Sequence, residues 1–121
     1  METGRPLREQ SVQGCIDECQ QCGEDCLRAA LADPVLGPPL DAAHLRLLID
    51  CAELCRSTAR LLLGAAPHYV TACSACAEVC DACAQRCEQV DGLQACAEIC
   101  RSCAQTCRTM ASGPRLHAGA Q

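Results

Sequence analysis

Fifteen of the 121 residues are cysteine, and they are not scattered. Cys15, Cys19, Cys22 and Cys26 form one run, and Cys51 and Cys55 a second. Cys73, Cys76, Cys80, Cys83 and Cys87 form a third, and Cys96, Cys100, Cys103 and Cys107 a fourth. Within each run every step is three or four residues, the spacing that returns to one face of an α-helix. Thiols placed on every inward turn suit one chemistry above all, the binding of soft metal ions by thiolate sulfur.

Other uses of cysteine fit this pattern less well. As small hydrophobes the residues would simply pack, but Leu or Ala would pack as well without the risk of oxidation. Disulfides between neighbours three or four apart on one helix are disfavoured, because their Cβ vectors run too nearly parallel. An odd count also fits a complete disulfide framework poorly. Zinc knuckles place isolated C-x2-C pairs on turns, whereas Cys19/Cys22, Cys73/Cys76, Cys80/Cys83 and Cys100/Cys103 are embedded in continuous helical runs. No cysteine precedes proline, as the bacterial ferredoxin pattern requires, and no βαβ pattern accompanies the C-x-x-C pairs as in thioredoxins.

Charge helps to choose the metal. A column of buried thiolates without counter-charge is prohibitively costly, so the metal-free thiols are expected to be mostly protonated and to release protons as metal enters. Zn²⁺ in four thiolates leaves a net −2 per site, and fifteen cysteines would make three such sites with three thiols left over. Cu(I) at about one ion per thiolate leaves a neutral core, and needs only two or three sulfurs per ion.

The elements that position these thiols are set by breakers. Asp33-Pro34, Gly37 and Pro38-Pro39 end the first segment, Gly64 and Pro67 the second, Asp91-Gly92 the third and Gly113-Pro114 the fourth. Asp41 reads as the N-cap of the second helix, and Pro67 suits the first turn of the third. The fold expected is all-α, an antiparallel up-down-up-down four-helix bundle with a cysteine-lined core. Residues 1–112 form a single domain in this reading, and 113–121 a flexible tail.

Folding the third and fourth helices about Asp91-Gly92 sets Cys87 against Cys96, Cys83 against Cys100, Cys80 against Cys103 and Cys76 against Cys107. The first and second, folded about Pro38-Pro39, set Cys26 against Cys51 and Cys22 against Cys55, with Thr58 and Leu62 opposite Cys19 and Cys15. Turning the second into the third aligns Cys55 with Cys76 and Cys51 with Cys80. Layers such as Cys22, Cys55, Cys76, Cys107 and Cys26, Cys51, Cys80, Cys103 result. His44 shares the face of Cys51 and falls level with Cys87 and Cys96, while Met110 falls level with Cys73. Either can be a ligand at an end of the column or a packed core residue. His68 and His117 lie off the column and are read as non-ligands.

Composition bounds the rest. All ten basic residues are Arg against fifteen acids, a net charge of −5, so the basic footprint of a nucleic-acid binder is missing. Phe and Trp are absent and there is one Tyr, so the core must be built from small side chains or gain stability from elsewhere. No signal-peptide pattern or long apolar run is evident, and a cytoplasmic protein that does not enter a membrane is expected. No nucleophile, base and oxyanion donor converge, so an enzyme is not expected.

The runs CIDECQQCGEDC, CAELC, CSACAEVCDACAQRC and CAEICRSCAQTC resemble the bacterial copper storage proteins, the four-helix-bundle Csp family, over roughly residues 10 to 112. The absence of an export signal resembles the cytosolic branch. The resemblance implies a homotetramer of bundles, each storing many Cu(I) ions on thiolates, with His or Met near an end where copper enters. Carried onto this chain, the ligands are the fifteen cysteines, with His44 and Met110 at the ends. Thr58 and Leu62 depart from a full column, implying a lopsided site with fewer ions at their end. A copper chaperone or a small thiol is the expected donor or acceptor. The alternative reading is a zinc or heavy-metal buffer or sensor of metallothionein-like type.

Overall fold

In the computed structural model, which describes residues 7–112, the chain forms α1 (Leu7–Ala30), α2 (Ala42–Leu63), α3 (Tyr69–Glu88) and α4 (Gln94–Ser112). Among these residues there is no strand. Each helix packs against two neighbours, in the ring α1, α2, α3, α4 and back to α1, so diagonal helices face each other only across the core. The expected all-α four-helix bundle with a cysteine-lined core is the fold observed.

Local chemistry sets the helix ends. Asp41 caps α2, its Oδ1 accepting the His44 amide at 2.7 Å, and this leaves one fewer orphan donor in the first turn. The other end of α2 closes with paired reverse bonds, Ala66 N–H to the Leu61 carbonyl at 2.9 Å and Ala65 N–H to the Leu62 carbonyl at 3.1 Å. This is a Schellman arrangement, and it puts Ala65, not the adjacent Gly64, in the left-handed region at φ 52. Pro67 does not enter α3 as the sequence suggested. It lies in the turn, because the left-handed residue redirects the chain and the first amide bond of α3 runs from Ala72 to the carbonyl of His68.

Two glycines have steric reasons. Gly92, at φ 94, makes the α3–α4 turn, and a Cβ there would lie 3.5 Å from Pro38 Cγ, so both loops of this end close over each other. Gly23 lies inside α1, where a Cβ would meet Arg56 Cγ at 3.2 Å and the Ala52 carbonyl oxygen at 3.4 Å. The missing side chain lets α1 and α2 approach closely beside Cys22 and Cys55.

On the outer faces, polar pairs tie neighbouring helices. Arg108 binds Asp81 at 2.6 Å and Arg101 pairs with Glu88, joining α4 to α3, while Ser102 donates to Glu18 on α1 at 2.9 Å. Arg86 reaches both carboxylate oxygens of Asp41, at 2.9 and 2.8 Å. Such exposed pairs contribute little each, about 0–1 kcal/mol, but they favour one register over its neighbours.

Candidate metal centre

All fifteen cysteines are buried and free, fourteen with no exposed surface and Cys96 at 7%. Five sets of thiols bring their sulfurs within 4.8 Å of one another. From the end nearest Tyr69 these are Cys15/Cys73/Cys107, Cys19/Cys76/Cys103/Cys107, Cys55/Cys76/Cys80/Cys103, Cys22/Cys51/Cys55/Cys80 and Cys22/Cys26/Cys51/Cys100.

The four-thiol sets share a plan. Each takes one C-x3-C pair from a single helix and one further cysteine from each of two others. The pair comes in turn from α4 (Cys103/Cys107), α3 (Cys76/Cys80), α2 (Cys51/Cys55) and α1 (Cys22/Cys26), so the sets wind around the bundle axis as they advance along it. Consecutive sets share two sulfurs: Cys76 and Cys103, then Cys55 and Cys80, then Cys22 and Cys51. The result is a continuous ladder rather than a row of separate sites.

The sulfurs are already at coordinating separations. Cys26 and Cys100 lie 3.4 Å apart, Cys19 and Cys107 3.6 Å, Cys55 and Cys80 3.6 Å, and Cys51 and Cys80 3.7 Å. What permits this is a feature the sequence reading missed. Alanine follows cysteine in Cys51-Ala52, Cys76-Ala77, Cys83-Ala84, Cys96-Ala97 and Cys103-Ala104, and each of these alanines is 0–3% exposed. A minimal side chain at a buried position beside each thiol is compatible with close helix packing, which brings the thiols together. The repeated Cys-Ala dipeptide, often seven residues apart, was the available signal.

The expected pairings hold between α2 and α3, with Cys55–Cys76 and Cys51–Cys80 both at 3.7 Å. Cys22 with Cys55, Cys26 with Cys51, Cys76 with Cys107 and Cys80 with Cys103 also share sets. The full layers do not hold. Cys22 lies 3.7 Å from Cys100 rather than beside Cys107, seven positions on, and Cys107 instead meets Cys15 at 3.8 Å and Cys19 at 3.6 Å. Between Cys19 and Cys15 the slip from Cys22 is three to seven residues, about 5 to 10 Å of helix. No loop joins α1 to α4, so their register is set where the ring closes and not by any of the three turns.

The two ends differ. At the loop end His44 is 1% exposed and its Nε2 lies 3.4 Å from Cys87 Sγ, as its register suggested. Cys83 and Cys96 complete this end without joining a four-thiol set. At the other end Thr58 and Leu62 are buried where α2 could have carried thiols, and Thr58 donates to the Ala72 carbonyl at 3.4 Å. Met110, 8% exposed, is buried there too, and it edges an outer cleft with Ser11, Gly14 and Glu18. His68 is exposed, and His117 lies outside the described residues.

Ionisation in this network is shared unevenly. Cys83 is held down to about 5, chiefly by hydrogen bonding with Cys100, then with Cys26 and Cys87. Cys87 is pushed up by its hydrogen bonds to Cys83 and Cys96 and by burial. Along α1 the direction alternates, with Cys15 and Cys22 lowered and Cys19 and Cys26 raised. Neighbouring thiols that hydrogen-bond to one sulfur favour its charge at the expense of their own, so adjacent sulfurs ionise together only when cations enter.

The sequence pattern of the Csp family, described as copper storage protein, matches residues 3–112. The chain belongs to the Csp copper storage protein family. No curated protein matches it. Among solved structures, the chain is similar to the Nmul_A1745 protein from Nitrosospira multiformis, 42% identical, with a TM-score of 0.82 over 86% of this chain and 97% of that one. Apo-Csp3, copper storage protein 3 from Bacillus subtilis, is 30% identical, with a TM-score of 0.74 over 83% of this chain and 98% of that one. The Cu(I)-bound copper storage protein BsCsp3 is 29% identical, with a TM-score of 0.73 over 84% and 99%.

Proposed function

We propose that this Csp chain is a cytosolic, non-enzymatic store of many Cu(I) ions, held by Cys15, Cys19, Cys22, Cys26, Cys51, Cys55, Cys73, Cys76, Cys80, Cys83, Cys87, Cys96, Cys100, Cys103 and Cys107. The observation that carries the reading is the ladder of thiol sets sharing sulfurs in pairs. Shared sulfurs suit a monovalent ion of low coordination, since one thiolate per Cu(I) gives a neutral core in which each sulfur bridges two ions. Family membership and the likeness to Cu(I)-bound BsCsp3 support it.

His44 serves as the terminal ligand at the Cys87 end, and Met110 as a thioether donor at the other. Residues 1–112 act as one storage domain, assembled as a homotetramer, exchanging copper with a chaperone or a small thiol. No helix among the described residues is long and apolar enough to cross a membrane, and a net charge of −5 does not favour nucleic acid.

The test is an anaerobic titration of reduced protein with Cu(I) against a coloured Cu(I) chelator, with metal counted by atomic spectroscopy. Saturation near one ion per cysteine, with close to one proton released per ion in calorimetry across buffers of different ionisation enthalpy, is the expected result. Saturation at one or two ions would refute storage and leave most of the column structural.

A further inference from the structure

We propose that the same column binds a soft divalent cation, Zn²⁺ being the probe, at two four-thiolate positions per chain, because an ion in one position excludes ions from the positions next to it. Composition alone allowed three such sites. The sulfur geometry allows two.

Each four-thiol set is sized for a tetrahedral ion. A Zn–S bond of about 2.3 Å requires sulfurs about 3.8 Å apart. The observed separations need little change: Cys55 lies 3.7, 3.6 and 3.9 Å from Cys76, Cys80 and Cys103, and Cys22 lies 3.7 Å from Cys100. The sets are also closed, since all their members are buried.

Neighbouring sets share an edge of two sulfurs, and this decides the count. Two tetrahedral ions on one shared edge would sit only about 2.6 Å apart, from the same bond length. Repulsion between divalent ions at that distance is fourfold that between two Cu(I) ions, by the product of charges. Monovalent ions tolerate the edge, and divalent ions are driven to alternate positions. Four positions in a line, each clashing with the next, hold at most two ions.

The shared pairs make this testable, because their removal has unequal effects. Losing Cys55 and Cys80 destroys the two middle positions and leaves the two outer ones, which do not overlap, so capacity stays at two. Losing Cys76 and Cys103, or Cys22 and Cys51, leaves only two overlapping positions and lowers capacity to one.

The experiment titrates reduced protein with Zn²⁺ against a carboxylate chelator and counts bound ions by native mass spectrometry. All variants carry Cys15→Ser, which removes the three-thiol set alone. The expected counts are two for this background, two with Cys55→Ser/Cys80→Ser, and one each with Cys76→Ser/Cys103→Ser and Cys22→Ser/Cys51→Ser. Any other pattern overturns the proposal, including four ions in the background, equal losses in all three pairs, or none bound. Where far-UV circular dichroism shows that a serine pair lowers helicity, the matching alanine pair replaces it. The proposal rests on the thiols of the copper reading but not on storage itself. Parallel Cu(I) titrations separate the two, since copper capacity should fall by about two ions for every pair alike.

Discussion

Replacing Thr58 with cysteine tests whether the column is set by helical register or by the particular thiols present. Thr58 has no exposed surface, stands three residues after Cys55 and seven after Cys51, and so shares their face. The two thiol sets at this end, Cys15/Cys73/Cys107 and Cys19/Cys76/Cys103/Cys107, contain no member from α2. Thr58→Cys supplies one. In the metal-free protein it removes a buried methyl group, costing about 1 kcal/mol. It also weakens a long hydrogen bond to Ala72, 3.4 Å in length, which costs about 0.5 kcal/mol. The sum, roughly 1–2 kcal/mol, lowers the midpoint of thermal unfolding by roughly 4–8 °C. In the copper-loaded protein the added thiolate raises capacity by about one Cu(I) per chain and releases about one further proton. Anaerobic titration against a Cu(I) chelator reads the capacity, and scanning calorimetry of the apo protein the midpoint. Unchanged capacity in a folded variant would refute the argument, because a sulfur on the column face would then fail to join it.

Three further outcomes follow from particular contacts. His44→Ala should slow copper loading or removal in stopped-flow transfer to a chelator more than it lowers capacity; loss of an ion at unchanged rates would place His44 inside the store instead. Ala104, with no exposed surface, has no room for a larger side chain, so Ala104→Leu should cost about 1–3 kcal/mol by overpacking. It should also lower copper capacity by spreading the Cys103 sets, measured by denaturant unfolding and titration together. Ala65→Gly should stabilise the chain by about 1 kcal/mol, since it relieves the left-handed residue at φ 52 without touching the column; a fall in the unfolding midpoint would contradict the Schellman assignment.

Much of this fold was legible because the same residues carry both pattern and chemistry. Cysteine steps of three and four marked the helices, Asp41 and Gly92 marked a cap and a turn, and the turns predicted which helices are neighbours. Contacts spanning adjacent helices, such as Cys51–Cys80, were therefore readable. The contact of α1 with α4 was not, because no loop joins them. Their register is a property of the closed ring, and the shift that pairs Cys22 with Cys100 appears in no single turn. Ala65 escaped notice for a related reason. Gly64 marked the end of the segment, but the reverse bonds from Ala65 and Ala66 set the bend one residue later.

The poverty of α2 explains the shape of the column. Its inward face reads His44, Leu48, Cys51, Cys55, Thr58 and Leu62, so thiols occupy only the middle two of these six positions. The three four-thiol sets nearest His44 all draw on Cys51 or Cys55. Beyond Cys55 the ladder continues only by taking its pair from α4, and then narrows to the three-thiol set of Cys15, Cys73 and Cys107. Beyond Cys51, Leu48 fills the α2 position, and Cys87 meets an imidazole instead of a fourth sulfur. Both ends therefore offer fewer sulfurs than the middle. Under the storage reading, ions at the ends are the most weakly held, so copper exchanges there while the doubly shared sulfurs of the centre retain it.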